Sequence, residues 1–241
     1  MKTAIVTGAN RGIGQAIALR LAADGFQVVL CARDQALLDM TAQQIGPQAH
    51  AISLDLRLPD AGRRLVDAAI TAFGAIDVVV NNAGATKRGD FETLTEEDWM
   101  DGFALKLFGA VRITRAAWPH LKKQSGAVVN IAGSGGRTPG AQFTIGGSVN
   151  AAMLSLTKAL ADLGLADQIQ VNAINPGPVR TARLEKRLAN TTLEAFLREE
   201  KITKVGSPED IAALVSFILS PHGRLLHGAL IDADGGLTKT I

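Results

Sequence analysis

The chain contains no tyrosine, so any chemistry that needs a phenol from it is excluded before a motif is read. It has one cysteine, Cys31, which cannot form an internal disulfide; a reducing, cytoplasmic setting is the expectation. No charge of one sign prevails. Lys plus Arg number 25 against 23 Asp plus Glu, a formal net charge of +2, which argues against the basic face that nucleic-acid binding requires. No apolar run approaches the ~18 residues of a bilayer span, so no membrane partner is expected. The segment Met1–Thr7 leads straight into a glycine loop and is too short for a signal peptide. The histidines and acids show no short recurring spacing of the kind that holds a metal.

Hydrophobic residues make up 47% and charged residues 20%, the balance of a folded chain. Short apolar, β-branched runs alternate with longer helical ones. Strands are expected at Thr3–Thr7, Gln27–Ala32, His50–Leu54, Ile76–Asn81, Ala127–Ala132, Ile169–Ile174 and Leu230–Asp232. Helix-period stretches lie between them, among them Gly14–Asp24, Leu58–Phe73, Glu96–Lys123, Ser148–Ala166 and Pro208–Leu219. Strands without polar alternation are buried on both faces, which predicts an α/β fold with a doubly wound parallel sheet over residues 1–241 as a single domain. Residues 181–206 stand apart as a charged, amphipathic insertion. Its place after the sixth strand suggests a lid over a ligand cleft, with a solvated surface helix as the plainer reading.

The first strand is followed by Thr7-Gly8-Ala9-Asn10-Arg11-Gly12-Ile13-Gly14 and then an alanine-rich helix. Gly8 suits the tight turn, Gly12 lets the backbone approach a pyrophosphate, and Gly14 permits close helix–strand contact. The helix start adds N–H groups and a positive dipole end. At the tip of strand two the sequence reads Cys31-Ala32-Arg33-Asp34. An acid in place of Ala32 would bind the adenine ribose hydroxyls; instead Arg33, with Arg11, makes a cationic site suited to a 2′-phosphate. NADP(H) is therefore favoured over NAD(H). Asp34 is a counter-signal unless it caps the next helix.

Together with Asn81-Asn82-Ala83-Gly84 after strand four and Asn175-Pro176-Gly177-Pro178-Val179-Arg180-Thr181 after strand six, these features resemble the short-chain dehydrogenase/reductase family over nearly the whole chain. The resemblance implies that Asn81 and Ala83, beside Gly84, line the adenosine ribose side. It implies that Asp55 and Leu56 contact the adenine, and that Pro176, Gly177, Val179 and Thr181 cradle the nicotinamide carboxamide. It also implies a homodimer or homotetramer packed through the two long central helices.

Reductases of the family use Asn, Ser, Tyr and Lys, the phenol giving a proton to the substrate oxygen beside a lysine that lowers its pKa. Aligned through Trp99, Ile131 and Leu156-Thr157-Lys158, the asparagine position falls on Lys106, the serine on Gly133, the tyrosine on Gly146 and the lysine on Asn150. All four depart from the pattern, and the missing tyrosine forbids rescuing the phenol by realignment. Asparagine and lysine look exchanged. Lys106 is expected to reach the space opened by Gly133, Gly146 and Gly147, to donate a proton or pair with a substrate anion. Asn150 is expected to hydrogen-bond the nicotinamide ribose, and Ser134 or Ser148 to supply a hydroxyl. The plainer alternative pairs Lys106 with Asp101 or Glu97. Lys87, Arg88, Arg137, Arg180 and Arg183 cluster in loops at the substrate end and suggest an anionic small-molecule substrate. Three functions stay open: an NADP(H)-dependent oxidoreductase with an altered site, acting on an activated substrate such as an imine or an anionic carbonyl compound; a dinucleotide-binding sensor or partner subunit without catalysis; and an enzyme of another class on the same scaffold.

Overall fold

The structure is a computed structural model, and it describes residues 1–189 and 191–239. Seven strands form its sheet: Thr3–Thr7 (β1), Gln27–Ala32 (β2), Ala49–Ser53 (β3), Val78–Asn81 (β4), Ala127–Ile131 (β5), Gln170–Pro176 (β6) and Leu230–Ala233 (β7). Every residue of β1, β4 and β5 is buried, which is why these strands carry no polar alternation. All pairings are parallel, in the order β3-β2-β1-β4-β5-β6-β7. The chain winds outward from β1 to β3, then returns to lay β4 on the other side of β1. A crevice opens there beyond the carboxyl ends of β1 and β4, the place where open α/β sheets take ligands.

Helices cover both faces. On one face, Gly12–Ala23 (α1) packs Ile17 and Leu21 with Val215 and Ile218 of the last long helix. On the other, Ala61–Phe73 (α3) and Gly109–Gln124 (α5) bury Leu65, Ile113 and Leu121 against the sheet. Gln35–Ile45 (α2) follows β2, and the Asp34 carboxylate accepts the Leu37 N–H at 3.1 Å, so this acid caps a helix. Cys31 lies fully buried, and that burial pushes its thiol pKa up to about 12, as for an inert filler.

Two helices depart from expectation near the sheet's carboxyl edge. The run from Glu96 is not continuous. Glu96–Phe103 (α4) passes into one π-helical turn, Ala104–Phe108, before α5 begins. A widened turn frees backbone carbonyls, and the Arg112 guanidinium donates to Ala104 O at 3.3 Å. Lys106 sits in the middle of that turn. The second difference is Thr144–Asp167 (α6), which starts earlier than Ser148. Gly146 and Gly147 lie inside it as contact points: a Cβ on Gly147 would lie 3.2 Å from Gly135 O, and one on Gly146 would overlap the Phe143 ring.

The segment after β6 forms two helices, Ala182–Leu188 (α7) and Leu193–Glu200 (α8), around Leu184, Phe196 and Ile202. A bridge between Val179 and Gly206 closes its base, and a Ser207–Asp210 capping box starts Pro208–Leu219 (α9). No helix among the described residues is long and apolar enough to cross a membrane, and no group of three metal-ligating side chains gathers among them.

Candidate active site

The crevice above β1 and β4 is built from loops whose glycines are fixed by contact. Gly8 and Gly12 hold φ of +67° and +56°. A Cβ on Gly14 would run into the Gly8 carbonyl oxygen. A Cβ on Gly12 would stand 3.2 Å from Thr181 Cγ2, so the loop after β6 faces the glycine loop. Asn82 ties the two sides of the crevice: its Nδ2 donates to Thr7 O at 2.9 Å, while the backbone N–H groups of Asn82 and Ala83 donate to Thr7 Oγ1 at 2.9 and 3.0 Å. A cradle from which Cβ atoms are excluded, at the start of a twelve-residue helix, fits a pyrophosphate. Arg11 and Arg33 form no ion pair among the described residues.

The structure gives the side-chain directions at this end. Asn81 turns its side chain inward, where Nδ2 donates to Asn130 Oδ1 at 2.9 Å and Thr114 Oγ1 at 3.0 Å; only its backbone remains for the crevice. Leu56 is buried in the core, so its side chain is not a groove wall. Asp55 accepts from the Arg57 N–H at 3.0 Å and stays at the surface of that end. Asn82, which clamps the glycine loop, was not singled out, because N-N in a motif does not say which side chain points where.

At the other end, Lys106 leaves the π turn and passes Gly84, where a Cβ would stand only 2.9 Å from Lys106 Cδ. Its Nζ donates to Asn150 Oδ1 at 2.6 Å and to Ala132 O at 2.5 Å. Lys106 and Asn150 are therefore in direct contact at the tip of β5, beside Gly133, whose φ is +150°. Asp101 pairs with Arg57 instead, and neither acceptor of Lys106 is an acid. Burial of the ammonium, helped by the charge of Arg183, pushes the Lys106 pKa down to about 7. An ammonium has three N–H donors, so two satisfied bonds leave one free. A neutral amine keeps both bonds and offers its lone pair at that third position. The nitrogen can therefore gain or lose a proton without moving.

Asn150 is buried and its oxygen accepts from Lys106, which leaves its Nδ2 as the side chain's donor. Ser134 stays buried at the tip of β5, next to Gly133. Ser148 does not join it: it lies exposed, on the side of α6 away from buried Gly146 and Asn150, because residues two apart on a helix face different ways. Phe143 is the feature that sequence reasoning missed. Its ring lies where a side chain on Gly146 would begin and within 3.0 Å of a Cβ on Gly135, and the Arg88 guanidinium stands 3.9 Å above its centroid. The glycines at 135 and 146 were the available signal, since a tight core fills the space beside such residues with something.

The loop cations sort into two groups. Lys87 pairs with Asp98 at 2.8 Å and Arg137 with Asp232 at 3.3 Å, so neither is held for a substrate. Arg183 donates to Gly84 O at 2.9 Å, laying α7 across the crevice. Arg88, Arg183 and Arg187 share a recess with Thr86 and Phe143.

This arrangement has many counterparts. A family model described as enoyl-(acyl carrier protein) reductase matches residues 8–238. An uncharacterised oxidoreductase of Mycobacterium tuberculosis (strain CDC 1551 / Oshkosh) is 38% identical over 98% of this chain and 92% of its own length. L-sorbose reductase from Gluconobacter frateurii, solved with NADPH and L-sorbose, is similar with a TM-score of 0.92 and 27% identity, over 100% of this chain and 97% of that one. A short-chain oxidoreductase from Pseudomonas aeruginosa PAO1, described as containing an atypical catalytic center, is similar with a TM-score of 0.93 and 25% identity, over 100% of this chain and 98% of that one. With its sheet order, its glycine cradle and these relatives, the chain belongs to the short-chain dehydrogenase/reductase family of oxidoreductases.

Proposed function

We propose that this protein is an NADP(H)-dependent reductase of a small carbonyl compound in which Lys106 takes the place of the missing phenol as proton donor. The observation that carries the reading is the Lys106 nitrogen, held by Asn150 and Ala132 with its pKa at about 7, where a general acid works best. Gly8, Asn10, Arg11, Gly12, Ile13 and Gly14 would hold the pyrophosphate and the 2′-phosphate side, with Arg33. Asp55, the backbone of Leu56 and of Asn81, Ala83 and Gly84 would line the adenosine, and Pro176, Gly177, Val179 and Thr181 the carboxamide. When bound, the reduced nicotinamide supplies a hydride.

The chain's own part is the proton. Lys106 Nζ–H donates to the substrate oxygen, the N–H bond breaks as the new O–H bond forms, and the amine left behind is reprotonated from water. Asn150 acts as a positioning residue, because its oxygen fixes the nitrogen that moves the proton. Ser134 is the hydroxyl placed to orient the carbonyl. A protonated imine fits less well, since Lys106 already shares its surroundings with Arg183 and a further cation would be repelled. A short-chain oxidoreductase of similar fold is described as containing an atypical catalytic center, which is in keeping with this reading. A homodimer or homotetramer through α5 and α6, and a lid role for α7 and α8, belong to the same reading.

One observation favours the second reading, a dinucleotide-binding protein without catalysis: Phe143 closes the volume in which a phenol would work. NADPH titration followed by hydride consumption with a panel of ketones, imines and oxo acids separates the two. Consumption with an oxo compound, lost in Lys106→Met, is the expected result. Tight NADPH binding with no consumption from any of the panel would replace this reading by the second.

A further inference from the structure

Beside Lys106 lies a recess of about 240 Å³ lined by Thr86, Arg88, Phe143, Arg183 and Arg187. Its lining comes from three segments: the loop after β4, the start of α6 and the helix α7. Three guanidinium groups meet in it. The only carboxylate bonded to any of them is Glu200, which takes the Arg187 NH2 at 2.6 Å, so among the described residues the recess keeps a charge of 3 − 1 = +2.

Each arginine is held differently. Arg187 is paired with Glu200 and lies 4.9 Å over the Phe196 ring, as a strut between α7 and α8. Arg183 spends one N–H on Gly84 O. Arg88 has no ion pair among the described residues; its guanidinium carbon stands 3.9 Å over the Phe143 ring centroid, and no carboxylate takes its N–H groups, which are open to a ligand. Burial pushes the Arg88 pKa below the usual guanidinium range, and Arg187 adds to it; Glu200 works the other way, and Arg183 lowers it again. Like charges held this close are stabilised by an anion between them.

We propose that this recess binds an oxyanionic group of the substrate, a carboxylate or a phosphate, with Arg88 as the residue that selects for it and Arg183 as its second donor. The proposal rests on the reductase reading for the word substrate, and it names the class: a small carbonyl compound carrying an acid group, its carbonyl at Lys106 and its anion at Arg88. Phe143 then has two uses. It fills the volume above Gly146, and it is the flat floor that holds the selecting guanidinium.

The test is equilibrium binding to the full chain saturated with NADP⁺, by calorimetry at fixed ionic strength, with pyruvate, acetylphosphonate and the neutral methyl pyruvate as probes. The wild type is expected to bind one of the two anions at least about tenfold more tightly than methyl pyruvate, the worth of one charge-assisted hydrogen-bonded pair. A preference for acetylphosphonate marks a phosphate-bearing substrate and a preference for pyruvate a carboxylate-bearing one. Arg88→Gln is expected to remove most of that discrimination while the chain still binds NADP⁺, which shows that it is folded. Should that variant not fold, Arg88→Lys is the second variant, expected to keep the charge but lose most of the discrimination with the bidentate edge. Equal affinity for the anions and the ester in the wild type, no saturable binding of either anion at millimolar concentrations, or unchanged discrimination in folded Arg88 variants would overturn the proposal. The two readings fail separately. Anion binding without any NADPH consumption keeps the recess and removes the reductase; NADPH consumption as efficient with methyl pyruvate as with pyruvate keeps the reductase and removes the recess.

Discussion

The two ends of the crevice have been treated differently. At the glycine-loop end every contact is one that tolerates no change: Gly14 against Gly8 O, Gly12 against Thr181, Asn82 on Thr7. At the β5 end the side chains fit each other. Lys106 bonds Asn150, Gly133 leaves room for Asn150 Nδ2 at 2.8 Å from its absent Cβ, and Phe143 occupies what Gly146 vacates. A site in decay would leave orphaned polar groups and voids. Here the new lysine has two carbonyl acceptors and the glycine gap holds a ring. The comparison teaches that the glycine-loop end is constrained by backbone contacts, while the β5 end is constrained by how its side chains fit one another.

The sharpest break between the halves is Lys106→Met. It is expected to slow hydride transfer about 10²–10⁴-fold, the usual worth of a positioned general acid, with NADPH affinity kept within about twofold. Stopped-flow absorbance and a fluorescence titration read the two separately; equal losses in both would merge the halves again. Gly14→Ala is the converse. Its Cβ meets backbone, which cannot swing aside, so overpacking of about 1–3 kcal/mol should weaken NADPH binding about 5- to 150-fold, measured by calorimetry. Asn150→Asp places a carboxylate beside the Lys106 ammonium. That favours the charged form and should move the alkaline limit of reduction upward by at least about 1 pH unit, read from the pH–rate profile.

Stability should carry the same signature. The folded protein releases the Lys106 proton near pH 7, whereas the unfolded chain holds it up to the ordinary lysine range. The unfolded state therefore binds more protons across that window, and this residue makes the protein more stable as pH rises through it. Urea unfolding at several pH values should show that rise in the wild type and a flatter curve in Lys106→Met. The smallest expected effect lies at the nucleotide end: Arg33→Ala should reduce any preference for NADPH over NADH by about tenfold, compared through the two Kd values.

Much of this was legible in the sequence. The strands fall within about two residues of the expected runs because buried parallel strands have to be short and apolar. The glycine spacing located the cradle, and Lys106 was expected near Gly133, where its nitrogen lies, but its contact with Asn150 was not expected. What stayed hidden depends on side-chain direction and local winding. Asn81 and Asn82 are neighbours, yet one points into the core and the other across the crevice. The π turn at Ala104–Phe108 leaves no trace in apolar periodicity, and without it the reach of Lys106 could not be judged. Nothing around Phe143 in the sequence marks that its ring fills the space beside Gly146. Ser148 was a candidate only because it follows the glycines in sequence; one more turn of geometry puts it outside.

The account stands most directly on the pH dependence of kcat/KM for NADPH oxidation with pyruvate or the best oxo compound of the panel. It predicts a rate that declines as pH rises through about 7, with that limit absent from the residual activity of Lys106→Met. A profile that stays level through the alkaline range, or one that the Lys106→Met variant reproduces in shape and size, would contradict it.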